Sequence, residues 1–493
     1  MSGAGPIHAW SMAETASAVA SGEVTASAVL EAYLARIGEH EGAIDAFVTV
    51  GEDAARRAAA EVDRKRAAKL PLGKLAGVPV GLKDNLVTTD TPTTCASKIL
   101  AGFQSPYDAH VVERLRAEDA VPVGKLNMDE FAMGSSTENS SVKPTRNPWD
   151  VKRAPGGSSG GSAAATAARF VAGALGSDTG GSVRQPGAFT GVTAIKPTYG
   201  RVSRYGLIAF ASSLDQVGTF GSTVADAATL LEAIAGHDVR DATSVDAPPI
   251  RFSVGGAASA GDLRGKRVGV VRSAFGEGVA GPVREKCLEA IRALEAAGAT
   301  LVDVELPHAE LAIAVYYVVA TAEASSNLAR FDGVRYGVRA SADTLHEMYA
   351  RTRGEGFGRE VKRRIMLGTY ALASGYYDAY YLRAQRVRTL IRRDYAAAFE
   401  KADVLVTPTA PTTAFKLGEK SADPLAMYLA DIFTVPPSLA GVPALSVPVG
   451  RDADGLPIGM QLVAPHFDEA GLVTVAQAVE TAVGALGVPP AFA

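Results

Sequence analysis

The sequence predicts an α/β fold: a large mixed β-sheet core with helices on both faces (α/β/α), led by a helical N-terminus. Three observations carry that expectation. The first seventy residues show apolar positions at helical spacing. From Leu75 onward, short apolar runs alternate with helical patterns, the signature of a sheet covered on both sides. Near the C-terminus two apolar runs flank Asp454-Gly455, which reads as a hairpin and makes the sheet mixed.

At the N-terminus, Ser11-Met12-Ala13-Glu14 fits a capping box, and Thr25 can cap a second helix. Val29, Leu30, Tyr33, Leu34 and Ile37 then follow the spacing of one apolar face. Residues 52–68 form a polar third helix with acids first and bases last, the order the helix dipole favours. Residues 1–70 are therefore expected to be a helical segment packed on the core, and 71–493 one α/β/α domain. Strands are expected at LAGVPVGLKDNL (75–86), AVPVGK (120–125), FVAGALGSD (170–178), KRVGVV (266–271), ADVLVTPT (402–409) and PALSVPVG (443–450). Residues 238–262 are polar and rich in proline and glycine, which predicts an exposed loop.

Composition narrows the function. With 493 residues the chain can bury a large core without disulfides or metals, and its two cysteines, Cys95 and Cys287, make no framework. No basic region followed by an apolar run opens the sequence, so no secretory signal is expected. No run of 18 apolar residues occurs, so no membrane span is expected either. The net charge of −4 argues against a protein whose main work is gripping nucleic acid.

The chemistry concentrates in residues 153–188, RAPGGSSGGSAAATAARFVAGALGSDTGGSVRQPGA, where two glycine-serine clusters flank an alanine-rich segment. A flexible linker does not fit, because Ala163 to Ala174 is a good helix former with Phe170, Val171 and Leu175 available for burial. Gly157-Ser158-Ser159-Gly160-Gly161 matches G-x-S-x-G, but the seven histidines occupy no triad context. Asp178-Thr179-Gly180 is the aspartic-protease tripeptide in a single copy, where such an enzyme needs two. A phosphate-binding G-x-x-x-x-G-K-[ST] is lacking, and no local His/Cys/carboxylate cluster suggests a metal. A serine nucleophile served by a lysine remains. Such a lysine must be neutral, so burial must lower its pKa. Lys83 fits, standing at the end of an apolar strand.

Lys83 in GLKDN, the block PGGSSGGSAAA (155–165) and SDTGGSVRQPGAF (177–189) together resemble the amidase signature family. Their spacing agrees: 75 residues from Lys83 to Ser158 and 24 from Ser158 to Ser182. The resemblance implies a Ser–cis-Ser–Lys triad. Ser182 would be the nucleophile, and Ser158, after a cis Gly157–Ser158 peptide, would relay its proton to Lys83. The backbone N–H groups of Thr179, Gly180, Gly181 and Ser182 would form the oxyanion hole, with glycines letting several amides converge on one oxygen.

Longer stretches, among them 194–218, 316–337, 356–381, 408–415 and 423–433, are similar to the glutaminase branch of that family, which serves tRNA-dependent glutamyl/aspartyl amidotransferases. That similarity spans essentially the whole chain. It implies a cytoplasmic glutaminase that supplies ammonia within a heterotrimer. Its partners would be a small subunit and a larger tRNA-binding kinase/transamidase. The chain itself would carry no cofactor, ATP and Mg being used by the partner, and tRNA would be met mainly through that partner. Tyr316, Arg364 and Asp431 are implied as glutamine contacts, with Arg363 the adjacent alternative to Arg364. Thr190, Thr193 and Thr219-Phe220 depart from the family's pattern without touching the triad. The basic stretch 382–395 reads either as an amphipathic helix with a charged outer face or as an approach for tRNA or a partner. A free-standing amidase with the same triad is the competing expectation.

Overall fold

The computed structural model describes residues 5–252, 262–421 and 423–492. Three helices come first: α1 (Met12–Ser21), α2 (Ala26–Ile44) and α3 (Glu52–Ala67). Ser11 Oγ accepts from the Glu14 N–H at 3.2 Å while the Glu14 carboxylate accepts from the Ser11 N–H at 2.8 Å, so the capping box closes as the sequence predicts. Thr25 caps α2 through the Ala28 N–H. The face Val29, Leu30, Tyr33, Leu34 and Ile37 is buried.

Eleven described strands make one sheet. They are β1 (Phe47–Val50), β2 (Pro79–Lys83), β3 (Val121–Leu126), β4 (Gly173–Asp178), β5 (Thr193–Lys196) and β6 (Gln216–Gly221), followed by β7 (Arg267–Val271), β8 (Thr300–Val304), β9 (Val404–Pro408), β10 (Ala444–Arg451) and β11 (Pro457–Val463). Their order is β1-β3-β2-β4-β6-β5-β10-β11-β9-β7-β8, with helices covering both faces. The sheet is mixed: β3-β2-β4 and β9-β7-β8 run parallel, and the strands between them pair antiparallel. The expected hairpin is β10–β11, turning where Gly455 takes φ +82° and Asp452 Oδ1 accepts from the N–H groups of Asp454 and Leu456. An edge strand comes from the leading segment, since β1 pairs with β3.

Two local expectations shift. The alanine-rich helix spans Gly160–Ala167 rather than 163–174, because Arg169 turns left-handed at φ +59° and Gly173 to Asp178 pair with β2 and β6 instead. Sheet hydrogen bonds across two neighbours outweigh alanine's helix propensity, which is a weak prior. The expected exposed loop is helix- and strand-free over residues 238–252, but Asp238, Asp241 and Ser244 are buried in it. Residues 253–261 lie outside the described residues. The basic stretch belongs to helix Arg383–Lys401, which buries Ala384, Ile391, Tyr395 and Ala398 and exposes Arg383, Arg386, Arg392 and Arg393: an amphipathic helix with a charged outer face. Both cysteines are free and buried.

Two facts of topology position the site. β2 and β4 are parallel neighbours with Leu82 opposite Leu175, so their C-terminal ends emerge on the same edge of the sheet. In open α/β sheets that edge is where ligands bind. Beside it, helices Ala312–Asn327 and Arg359–Leu372 pack closely against each other. The segment Ala309–Arg330 is long and apolar enough, by length and composition, to cross a membrane, yet half of it is buried inside the protein. A Cβ at Gly368 would stand 1.9 Å from the Thr321 carbonyl oxygen, so the glycine is what lets the two helices touch. Gly368→Ala should therefore destabilise the chain by about 1–3 kcal/mol although alanine is the better helix former. Calorimetry of the two proteins checks this, and an unchanged or raised Tm would contradict the close approach.

Candidate active site

Lys83 ends β2 and is completely buried. Its Nζ donates to Ser158 Oγ at 2.8 Å, Ser159 Oγ at 2.8 Å and Ser177 Oγ at 2.9 Å, with the Ser177 carbonyl at 3.3 Å. Burial pushes its ammonium down to about 7, against the opposing pull of Asp129, Asp178 and Asp215. None of those carboxylates makes a direct ion pair with it, because each is engaged elsewhere. Asp129 accepts from the N–H groups of Thr137, Ser136 and Asn139. Asp178 is bound by Arg184 through Nε at 3.0 Å and Nη2 at 2.8 Å, and both side chains are fully buried. Asp215 accepts from Thr179 Oγ1 at 2.8 Å and from the N–H groups of Phe210 and Ala211.

Ser158 follows a cis Gly157–Ser158 peptide, as the resemblance implies. Ser182 lies at the outer end of the turn that leaves β4, 8 % exposed, and its carbonyl accepts from the Ser159 N–H at 3.1 Å. The two serine-bearing turns are thus joined through backbone, while among the described residues no hydrogen bond links the Ser158 and Ser182 hydroxyls. Ser159, Ser177 and Asn85, which donates to Ser177 Oγ at 2.9 Å, complete the surroundings of the lysine. Sequence reasoning weighed Ser159 only as a nucleophile and passed over Ser177. No local signal marks Ser177: the parallel pairing of β4 with β2 is what brings the end of β4 beside Lys83.

The turn 179–182 is pressed between neighbours. Thr434 Oγ1 donates to the Gly180 carbonyl at 2.8 Å. A Cβ on Gly180 would stand 2.7 Å from Tyr316 Cζ, and one on Gly181 would stand 2.1 Å from Thr434 Oγ1 and 3.3 Å from Asp431 Oδ1. With φ of +146° at Gly181, only glycine suits this turn. The same distances put Tyr316 and Asp431 against the turn that holds Ser182.

Asp431 is buried and accepts from Ser135 Oγ through Oδ2, whereas its Oδ1 has no partner among the described residues. Burial raises its carboxyl to about 7. Arg364 is buried on the inner side of helix Arg359–Leu372, where its Nε donates to Glu360 at 2.7 Å. Its guanidinium lies 5.2 Å from the Tyr317 ring, 5.6 Å from Phe210 and 5.7 Å from Tyr428. Burial opposes its charge, but Tyr317 and Glu360 hold its pKa above the ordinary value. Arg363 points outward, half-exposed, toward Glu360 and Tyr428. Arg364 thus supplies a buried cation paired with Glu360, and Asp431 a buried carboxyl against the serine turn. Among the described residues, no three His, Cys, Asp or Glu side chains come together as a metal would require.

This arrangement, serines and a buried lysine at the edge of a mixed sheet, agrees with the chain's likeness to known proteins. The Amidase family profile matches residues 28–473, and the chain belongs to that family. The glutamyl-tRNA(Gln) amidotransferase A subunit of Thermosynechococcus vestitus is 57% identical over 459 residues, covering 93% of this chain and 95% of the relative. The same-named protein of Geobacillus stearothermophilus is 57% identical over 461 residues, 93% of this chain and 94% of its own length. The crystal structure of the glutamyl-tRNA(Gln) amidotransferase A subunit from Thermotoga maritima superposes with a TM-score of 0.80 at 42% identity, covering 97% of this chain and 96% of that one.

The buried Asp178–Arg184 pair anchors the turn from both of its ends. Removing one partner of such a pair strands the other charge. Asp178→Asn should lower the stability by about 3–5 kcal/mol, read as a shift of the urea midpoint. A midpoint within the error of the parent would show that the pair does not hold the turn.

Proposed function

We propose that the chain is the glutaminase subunit of a tRNA-dependent amidotransferase, releasing ammonia from glutamine through Ser182, Ser158 and Lys83. One observation carries the chemistry: a fully buried lysine, its ammonium lowered to about 7, hydrogen-bonded to Ser158 at 2.8 Å. The names of the relatives supply the setting.

Lys83, once neutral, takes the Ser158 proton while Ser158 takes that of Ser182, and the Ser182 oxygen attacks the carboxamide carbon of glutamine. The Ser158 hydroxyl turns toward Ser182 for this step, in keeping with catalytic hydrogen bonds that tighten only around substrate. The N–H groups of Thr179, Gly180, Gly181 and Ser182 receive the oxyanion. The proton returns through Ser158 to the nitrogen, ammonia leaves, and water then releases glutamate from Ser182. Arg364 takes the α-carboxylate, the unpartnered Asp431 Oδ1 takes the α-ammonium, and Tyr316 forms the wall between them.

The chain works, in this proposal, in the cytoplasm within a heterotrimer. A partner binds tRNA and, with ATP and Mg, converts Glu-tRNA(Gln) or Asp-tRNA(Asn) to the amide, and a small subunit completes the complex. Residues 71–493 act as one catalytic domain with the leading helices packed against it.

Ammonia release from glutamine by the full chain, purified with whatever accompanies it, tests the proposal with and without ATP and Glu-tRNA. Release should rise with both, and Ser182→Ala should lower kcat by about 10³–10⁶-fold. A solitary chain that ignores glutamine yet hydrolyses simple amides would instead make it a free amidase.

The pH dependence has a definite sign. Lys83 acts when neutral and Asp431 binds when ionised, and both change state near 7 in the free enzyme. Activity is therefore lost as pH falls through that value. The logarithm of kcat/KM should drop with a slope approaching two, and that of kcat with a slope near one, because bound ammonium keeps Asp431 ionised. A flat kcat/KM profile between about pH 5 and 9 would contradict a lysine base.

A further inference from the structure

Gln185 sits three residues beyond Ser182, fully buried in the helix Arg184–Thr190, and reaches three segments at once. Its backbone N–H donates to the Gly181 carbonyl at 2.9 Å. Its Oε1 accepts from the Gly157 N–H at 3.0 Å, immediately before Ser158. Its Nε2 donates to the Ser135 carbonyl at 3.0 Å, and the hydroxyl of Ser135 donates to Asp431 Oδ2. One side chain therefore stands between the turn of the bridging serine and the residue that orients the ammonium-binding carboxylate. The fit leaves little freedom: a Cβ on Gly156 would stand 2.5 Å from Gln185 Oε1 and 2.7 Å from Pro186 Cα.

We infer that Gln185 is a positioning residue whose two amide ends set two different functions, Oε1 the placement of Ser158 for proton relay and Nε2 the placement of Ser135 and hence Asp431 for recognising the substrate's ammonium. This rests on the glutaminase reading of the site. The chemistry of the amide makes the division testable. A carboxylate in its place still accepts from Gly157 but cannot donate to Ser135, and turns a negative oxygen toward that carbonyl. An apolar side chain removes both links.

The experiment compares parent, Gln185→Glu and Gln185→Ala as full chains with their companion subunits, measuring kcat and KM for glutamine and the melting temperature. Misplacement by about 1 Å at a reacting centre loses on the order of 100-fold in rate. Gln185→Glu should keep kcat within about threefold while raising KM at least about tenfold. Gln185→Ala should raise KM similarly and lower kcat by about 100-fold. If Gln185→Glu lowers kcat with KM unchanged, or both variants lose activity only in proportion to folded protein, the division of roles is overturned and Gln185 is structural. If the parent complex itself releases no ammonia from glutamine, the functional reading falls and this inference with it, an outcome distinct from the others because it precedes any substitution.

Discussion

Everything at the candidate site depends on keeping an ammonium group out of water without giving it a carboxylate. A buried lysine beside a carboxylate would stay charged and useless as a base. Here the nearest partners are the hydroxyls of Ser158, Ser159 and Ser177, which can donate or accept as the lysine gains or loses its proton, with the Ser177 carbonyl a more distant acceptor. The nearby aspartates act only through space because other donors occupy them: backbone amides on Asp129, Arg184 on Asp178, Thr179 and two amides on Asp215. Burial then outweighs their distant attraction and brings the lysine down to about 7.

That arrangement dictates the surrounding architecture. Three serines must converge on one nitrogen, and they come from the turn before helix Gly160–Ala167 and from the end of β4. Parallel pairing of β2 with β4 brings Lys83 and Ser177 to one edge, and the Ser159 N–H on the Ser182 carbonyl locks the two turns together. The carboxylates that would have neutralised the site become its fasteners, Asp178 holding the second turn and Asp215 holding Thr179 within it.

The other wall is helical, and its spacing is equally strict. Gly368 lets helix Arg359–Leu372 lie against the backbone of Ala312–Asn327, four residues after Arg364. Arg364 is then enclosed by three rings and Glu360, so its charge survives burial. Gly180 and Gly181 fill the seam between the walls, because any side chain there would strike Tyr316 or Thr434.

Local patterns in the sequence determined much of this. The capping box at Ser11, the apolar face of α2, the buried runs of β2, β3, β7, β9 and β10 and the turn at Asp454-Gly455 follow from spacing and backbone preference within a few residues. Lys83 was legible from the apolar strand it ends, whereas Ser158 and Ser182 stand out from the other serines of the glycine-rich turns only through the resemblance to the amidase signature family. The end of the alanine-rich helix was not, because pairing of Gly173–Asp178 with two strands distant in sequence overrides local propensity. Nor were β1, β5, β6 and β8, which are fixed by pairing with their neighbours. The choice between Arg363 and Arg364 as the buried cation, the unpartnered oxygen of Asp431 and the bridge made by Gln185 belong to tertiary structure alone. Each depends on which side of a helix or turn meets another segment far along the chain, as Ser135 meets Asp431 across 296 residues, and a linear pattern carries no record of that distance.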